Sequence, residues 1–380
     1  MSFKYPDLKP AFDIYLHPPC TSDDDARAVA EVVHSGWATP GGPWVARFEE
    51  KLQTYTGAPQ VVALQSGTAA LHLVLLALGI GEGDRVIVPA HTFIATASPV
   101  HYTGAVPVVV DSETDTLNIS PRYLEQSLER LQKEGTPAKA VIVTHIYGLP
   151  ARMDEILTIA DRYKIPVIED AAESVGSFYG KRHTGTLGAA GILSFNGNKT
   201  FTTAGGGALL LRDEQTARQV RQLAAHAKED LPYYYHRRWG YNYQLSALSA
   251  GLGISQLEKH RRILQRKRVI HREYGEAFAH LPLRFIDEMP GNKSNYWLNA
   301  LLLESPYEAS ELIGLLQHNG IEARHFWYPL HQMPVLEKAP YFGRGESETF
   351  FRRGVLLPSS PCLKEDEQQR IIEAVRSFFA

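Results

Sequence analysis

Two kinds of apolar pattern alternate along the first half of the chain. One is a short unbroken run of Val, Ile, Leu and Ala, found at 61–65, 86–90, 106–111, 140–145, 166–170, 192–195 and 208–212. The other spaces its apolar residues three or four apart, as a helix with one buried face does, over 67–79, 122–134 and 152–163. Runs without polar alternation need cover on both faces, and intervening helices supply it. The pattern predicts an α/β fold with a mostly parallel seven-stranded sheet. Ligands gather beyond the carboxyl ends of the strands in such sheets. Ser66, Asp170 and the turn after Phe195 all stand at such ends.

The flanks follow other patterns. Thr21 or Ser22 before Asp23, Asp24 and Asp25 starts a helix, with acids at the positive end of its dipole. That triplet is a cap rather than a metal site, and the helix should end near Ser35-Gly36. A loop stiffened by proline and glycine follows, from Trp37 to Pro43. Past Arg212 come a helical pattern over 214–228, an aromatic and basic loop over 233–243, and one long or broken helix over 246–278. A smaller α+β unit is expected over 281–380, with strands near 295–303 and 322–324 and a last helix from Glu365. The expected organisation is an arm over 1–20, a large domain over 21–255 and a small domain over 256–380.

Composition narrows the function classes. The 380 residues are 44% hydrophobic and 21% charged, with a net charge of −3 and the two signs mixed. No basic stripe suits nucleic acid, and no basic tract suits a membrane surface. The first residues lack a signal-peptide apolar core, and the apolar stretch 69–80 is too short to span a bilayer, so a soluble cytoplasmic protein is expected. Cys20 and Cys362 read as separate reduced thiols without metal-ligand spacing. The glycine-rich Gly79-Ile-Gly-Glu-Gly-Asp84 follows a helix and precedes a strand, the wrong order for a dinucleotide site, and reads as a turn.

The candidate chemistry centres on Lys199. It stands in a polar, glycine-rich turn after an apolar run, with no acid inside the turn. A lysine with few charged neighbours sheds its proton readily and attacks carbonyls. Alone, it is also compatible with an exposed loop lysine. Asp170, at the end of another apolar run, changes the picture: a lysine holding an aldehyde and an acid protonating a pyridine nitrogen are what pyridoxal phosphate requires. Ser66-Gly-Thr-Ala-Ala70 opens a helix after a strand, so its free amides and the Thr68 hydroxyl form an anion site, with Ser194 near enough to add another hydroxyl. Phe93 follows the second run, where a ring could stack on the pyridine.

Five separated motifs carry a resemblance: Gly67-Thr-Ala-Ala70, Thr92-Phe-Ile-Ala95, Glu169-Asp-Ala-Ala-Glu173, Ser194-Phe-Asn-Gly-Asn-Lys199 and Gly240-Tyr-Asn-Tyr243. In order and spacing they resemble the DegT/DnrJ/EryC1/StrS aminotransferases, from Leu16-His-Pro-Pro19 to Leu357-Pro-Ser359. The resemblance implies the fold type I architecture of pyridoxal phosphate enzymes that act on nucleotide-linked keto sugars. It makes Lys199 the cofactor's lysine, Asp170 its pyridinium partner and Glu173 the residue beside the ring. Gly67, Thr68 and Ser194 become phosphate ligands, and Phe93 the stacking ring. Asn242 matches an asparagine that reaches the neighbouring subunit's phosphate, which implies a homodimer with shared sites. Arg324 to His331 resembles the segment that closes over substrate, and Arg324, His331 and Trp37 are the expected substrate contacts. Gln244 and Tyr296 stand where relatives carry arginine. The implied activity moves an amino group, with glutamate as the expected donor, to C4 of a UDP-linked 4-keto-6-deoxy-N-acetylglucosamine. The alternatives are a GDP-perosamine-type or C3 acceptor, or a non-catalytic cofactor-binding regulator. Lys199 opposes a sugar dehydratase, which carries histidine there.

Overall fold

The computed structural model describes residues 11–380, so the first ten residues of the expected arm lie outside it. In chain order the first half runs α1 (Asp23–His34), α2 (Pro43–Thr56), β1 (Gln60–Leu64), α3 (Gly67–Ala77), β2 (Arg85–Pro89), α4 (Ser98–Tyr102), β3 (Val106–Val110), α5 (Pro121–Lys133), β4 (Ala138–Thr144), α6 (Met153–Tyr163) and β5 (Val167–Asp170). A two-stranded ribbon, β6 (Phe178–Tyr179) with β7 (Arg182–His183), precedes β8 (Ala190–Ser194), β9 (Gly207–Leu211) and α7 (Glu214–Ala224). Then come α8 (Ala247–Glu258), α9 (His260–Phe278), β10 (Leu283–Phe285), β11 (Asn299–Leu303), α10 (Ala309–His318), β12 (Arg324–His325), β13 (Tyr341–Phe342), α11 (Glu346–Arg353), β14 (Gly354–Leu357) and α12 (Glu365–Phe378).

The seven expected strands lie in one sheet, ordered β1-β9-β8-β5-β4-β2-β3, and β13 adds an eighth at the edge. Pairing is parallel except around β9, which runs against both β1 and β8. Buried side chains pack on each face of the sheet, α3 and α7 on one and α5 and α6 on the other. That double cover is why the strands read as unbroken apolar runs. A second sheet, β10-β11-β14-β12, has its own core with α9, α10 and α12.

The two sheets are joined at Asp111, just past β3. Its buried carboxylate accepts from the amides of Gly345, Glu346 and Ser347 at 2.9, 3.0 and 3.1 Å, capping α11, and from Tyr341 Oη at 2.6 Å. An acid at a helix start satisfies amides that would otherwise lack partners.

Several boundaries depart from the sequence reading. The 246–278 pattern is two helices, broken at Lys259 (φ −94°, ψ 2°). The helix expected to reach 228 stops at Ala224, because His226 and Ala227 take positive φ where the chain turns to pair with the aromatic loop. The strand expected from 295 begins at Asn299, since the preceding residues spend their polar groups on the first sheet's loops.

The thiol reading is overturned: Cys20 and Cys362 form a disulfide, with Cα atoms 5.7 Å apart. Two hydrogen bonds, one between backbones and one from a side-chain hydroxyl, bring them together. Leu16 O accepts from Ser359 N at 2.9 Å, and Pro18 O accepts from Ser360 Oγ at 3.3 Å. Among the described residues no helix is long and apolar enough to cross a membrane, and no cluster of candidate metal ligands occurs.

Candidate active site

Strand ends and helix starts meet at a cavity of about 370 Å³. Its first side is the start of α3. Ser66 Oγ caps the helix by accepting from Ala69 N at 3.0 Å, leaving the Gly67 and Thr68 amides at the cavity. Gly207 of β9 is needed for the sheet to approach this helix start, and Gly67 itself sits tightly against β8. A Cβ on Gly67 would lie 3.3 Å from Ser194 Cβ, and one on Gly207 only 2.4 Å from Gly67 N.

The second side is the end of β5. Successive side chains of a strand face opposite ways, so Glu169 and Asp170 part company. Glu169 turns inward, accepting from the amides of Gly185, Leu187 and Gly188 at 2.6–2.8 Å and meeting His145 Nε2 at 2.9 Å. His145 Nδ1 accepts from Ala151 N at 3.1 Å, so its proton sits on Nε2, toward Glu169. Burial is the largest single influence and pushes Glu169 up, but His145 and the Gly185 and Gly188 amides together outweigh it and hold the carboxyl below its ordinary range. Asp170 turns to the cavity, where Thr96 Oγ1 donates to its Oδ2 at 2.8 Å. Thr92 Oγ1 stands 2.8 Å from Thr96 Oγ1 and extends the chain of hydroxyls.

Lys199 comes from the turn after β8. Its amine is 3.9 Å from Glu173 Oε1 and 3.9 Å from the ring centre of Trp297. Burial pulls this amine below the ordinary lysine range, against the opposing pull of Glu173 and Asp170. Glu173 accepts from Tyr147 N at 2.7 Å, and burial pushes its carboxyl up to about 7.

The remaining wall is aromatic. Trp297 donates its indole N–H to Asn198 O at 2.7 Å, tying the wall to the lysine turn. The Trp327 ring lies 6.3 Å from Trp297 and 5.6 Å from Phe93. Its backbone N–H donates to Tyr147 Oη at 3.0 Å. Thr144 Oγ1 also lines the cavity, buried and without a partner among the described residues.

Lys199, Asp170, Gly67, Thr68, Phe93, Glu173 and Ser194 therefore stand around one cavity. Four other expected residues do not reach it. Trp37 is 57% exposed on its loop. Arg324 is exposed and pairs with Glu322 at 2.7 Å. His331 stacks on Tyr341 at 3.8 Å and meets Glu348 at 3.0 Å, because its turn carries it to the sheet edge. Asn242 is exposed in a bridge to Ala225. Tyr296 also faces away, donating to Asp287 at 2.6 Å, so Lys199 is the one cation among the described lining residues. Trp297, Trp327, Thr96, Thr144 and His145 line the cavity although the sequence did not single them out. Trp327 and Trp297 belong to segments the sequence did flag, at other positions.

The model of the DegT/DnrJ/EryC1/StrS aminotransferase family matches residues 19–376. EpsN of Bacillus subtilis (strain 168), named as a candidate pyridoxal phosphate-dependent aminotransferase, is 43% identical over 96% of this chain and 96% of its own. A GDP-perosamine synthase of Escherichia coli O157:H7 is 33% identical over 97% of this chain and 99% of its own. The crystal structure of a DegT DnrJ EryC1 StrS aminotransferase from Brucella abortus superposes with a TM-score of 0.89 at 32% identity, covering 94% of this chain and 96% of the other.

Proposed function

The chain belongs to the DegT/DnrJ/EryC1/StrS aminotransferase family, and from that premise we propose that its cavity holds pyridoxal phosphate on Lys199 to aminate a nucleotide-linked keto sugar. The observation that carries this reading is a largely buried lysine, its side chain 14% exposed, sharing one cavity with a strand-end carboxylate. The lining fits the cofactor. Amides at the start of α3, with the Thr68 and Ser194 hydroxyls, suit a phosphate dianion. Phe93 offers a ring face, and the unpartnered Thr144 hydroxyl is free for a polar group of the bound molecule.

Bound there, the cofactor supplies an electron sink for the pair released when the donor's Cα–H bond ionises. Lys199 Nζ takes the proton from that Cα and delivers it onward as general base and then acid. Burial keeps the amine free of its own proton nearer to neutral pH than an exposed lysine would be. Asp170 holds a proton on the ring nitrogen, its Oδ2 oriented by Thr96. Trp297 and Trp327 exclude water from the amine's side of the cavity. Sodium borohydride reduction followed by peptide mapping tests the assignment: cofactor fixed on Lys199 is expected, and cofactor fixed on another lysine would sink it.

For the acceptor we propose C4 of UDP-linked 4-keto-6-deoxy-N-acetylglucosamine, with glutamate as donor and the work done in the cytoplasm. The supporting feature is the turn Asn196-Gly-Asn-Lys199, whose two asparagines line the cavity beside the amine. A GDP-linked 4-keto-6-deoxymannose is the second reading, favoured by the GDP-perosamine synthase relative. Each polar group left unpaired by the wrong sugar costs about 1–3 kcal/mol, enough to decide a competition. Equal concentrations of the two sugars, with products resolved by mass, should yield the UDP product first; preference for the GDP sugar, or amination at C3, would overturn the assignment.

The exposed Asn242 suits a homodimer in which each copy completes the other's phosphate site. Mixing Lys199→Ala chains with Asn242→Ala chains should restore part of the activity. Verified hybrids without recovery would refute sharing.

A further inference from the structure

Lys267, on α9, is 1% exposed and has no part in the chemistry above. Its Nζ donates to Ser359 O at 2.7 Å and Trp297 O at 3.1 Å, and lies 3.0 Å from His17 Nε2. None of these partners is an acid, so the buried nitrogen is held by hydrogen bonds alone. Burial pulls its ammonium well below the ordinary lysine range.

The three partners come from distant parts of the chain and converge directly behind the Lys199 turn. Trp297 is fixed at three points: its carbonyl on Lys267, its amide on Asn295 Oδ1 at 2.8 Å, and its indole on Asn198 O at 2.7 Å. The face of that indole covers the Lys199 amine at 3.9 Å. The His17 ring stands 6.4 Å behind Trp297. Two residues on, Pro19 backs the lysine turn itself, since a Cβ on Gly197 would lie 3.8 Å from Pro19 Cγ.

We propose that Lys267 is a positioning residue for the Lys199 amine: its hydrogen bonds fix Trp297 as the wall that shields one side of this amine from water. Without the Lys267 nitrogen, two buried carbonyls and an imidazole lose their partner, and such groups relax toward water. The relaxation moves the backbone of Trp297, and the indole with it. Water then reaches Lys199 from the wall side as well, and the amine keeps its proton to higher pH. The groups that face this amine are Glu173 and Asp170 on the cavity side and Trp297, with His17 behind, on the wall. The role matters to catalysis only if Lys199 carries the cofactor, so the test reads Lys199 in the cofactor-free chain.

The variant is Lys267→Met, which keeps length and loses the donors. Reductive methylation of the cofactor-free, full-length protein with formaldehyde and cyanoborohydride, followed by peptide mass mapping, gives the rate at Lys199 across a pH series. The pH of half-maximal rate is the readout, so changes in access cancel. It should rise enough to slow labelling about threefold or more on the acid side, the effect of half a pKa unit. Trp297→Phe should move the midpoint in the same direction. The double variant should move it no further than the larger single change, because both act through one wall. A lowered melting temperature with an unmoved midpoint would show that Lys267 is structural only. Independent, additive shifts would refute action through Trp297. If Lys267→Met does not fold, His17→Leu removes one of the three partners and should give about a twofold slowing; an unmoved midpoint there overturns the proposal equally. Failure of borohydride to fix the cofactor on Lys199 would sink the functional reading while leaving these midpoints to be judged on their own.

Discussion

The floor of the cavity and its aromatic wall are built in different ways. On the floor, Asp170 and the start of α3 are fixed by the main sheet, Asp170 between parallel neighbours and α3 after the antiparallel edge strand β1: each side chain points where its strand end sends it. The wall comes from irregular chain, with Trp297 separated by 99 residues from the Asn198 carbonyl it grips. On the floor, a residue's place follows from its local sequence. In the wall, it follows from hydrogen bonds to remote partners such as Lys267 and Tyr147. Floor residues should therefore govern the chemical step, and wall residues the state of the Lys199 amine and the entry of water.

Substitutions can break that division. Lys199→Ala removes the amine proposed to move the proton and should reduce transfer by at least about ten-thousandfold, measured by single-turnover kinetics. Turnover above one per cent of wild type would place the chemistry elsewhere. Asp170→Asn should retain cofactor but lose the charge that keeps the ring nitrogen protonated, at roughly 4 kcal/mol or about a thousandfold in rate. Half the normal turnover would make this acid structural. Trp297→Phe loses an indole hydrogen bond and the stronger ring face, together about 1–2 kcal/mol or roughly tenfold. A wall residue should spread that loss over the pH profile rather than over the rate plateau, and a plateau loss alone would erase the distinction.

Glu173 gives a smaller effect with a definite sign. Burial raises its carboxyl from 4.5 to about 7, so the folded protein binds this proton more tightly than the unfolded chain does. Through that window the unfolded chain has released the proton while the folded protein keeps it, so stability falls as pH rises. The total cost is about 3 kcal/mol, fully present above about pH 7. Glu173→Gln keeps an acceptor for Tyr147 and removes the slope. Urea midpoints of the cofactor-free protein should favour the variant at about pH 8 more than at about pH 5. An equal difference at both would contradict the burial account. The smallest effect belongs to Arg324→Ala, which breaks an exposed pair and should change KM and stability by less than about 1 kcal/mol. A tenfold rise in KM would show that the segment moves into the cavity with substrate present.

The same division explains what the sequence disclosed. The strands and the floor residues were legible because a run of Val and Ile, its terminal acid or serine and the following helix start lie within about ten residues of one another. The wall was not. The segment around Trp297 looks like the first turn of a strand, and nothing local shows that Asn295 spends its side chain on the loop after β5. Within Arg324–His331 the choice between Trp327 and His331 depends on a turn that carries the histidine onto Tyr341. Pairing of Cys20 with Cys362, at a separation of 342 residues, has no local signature at all.

The meeting of His17, Trp297 and Ser359 on Lys267 also has a consequence for biosynthesis. The sheet and its strand-end floor lie within the first part of the chain to leave the ribosome, and domains fold as units while synthesis continues. The wall cannot close until residue 359 has been made and has returned to the arm that emerged first. A nascent chain therefore holds Lys199 without that wall from the time residue 199 is made until residue 359 follows it. The order of synthesis thus puts the lysine before its cover.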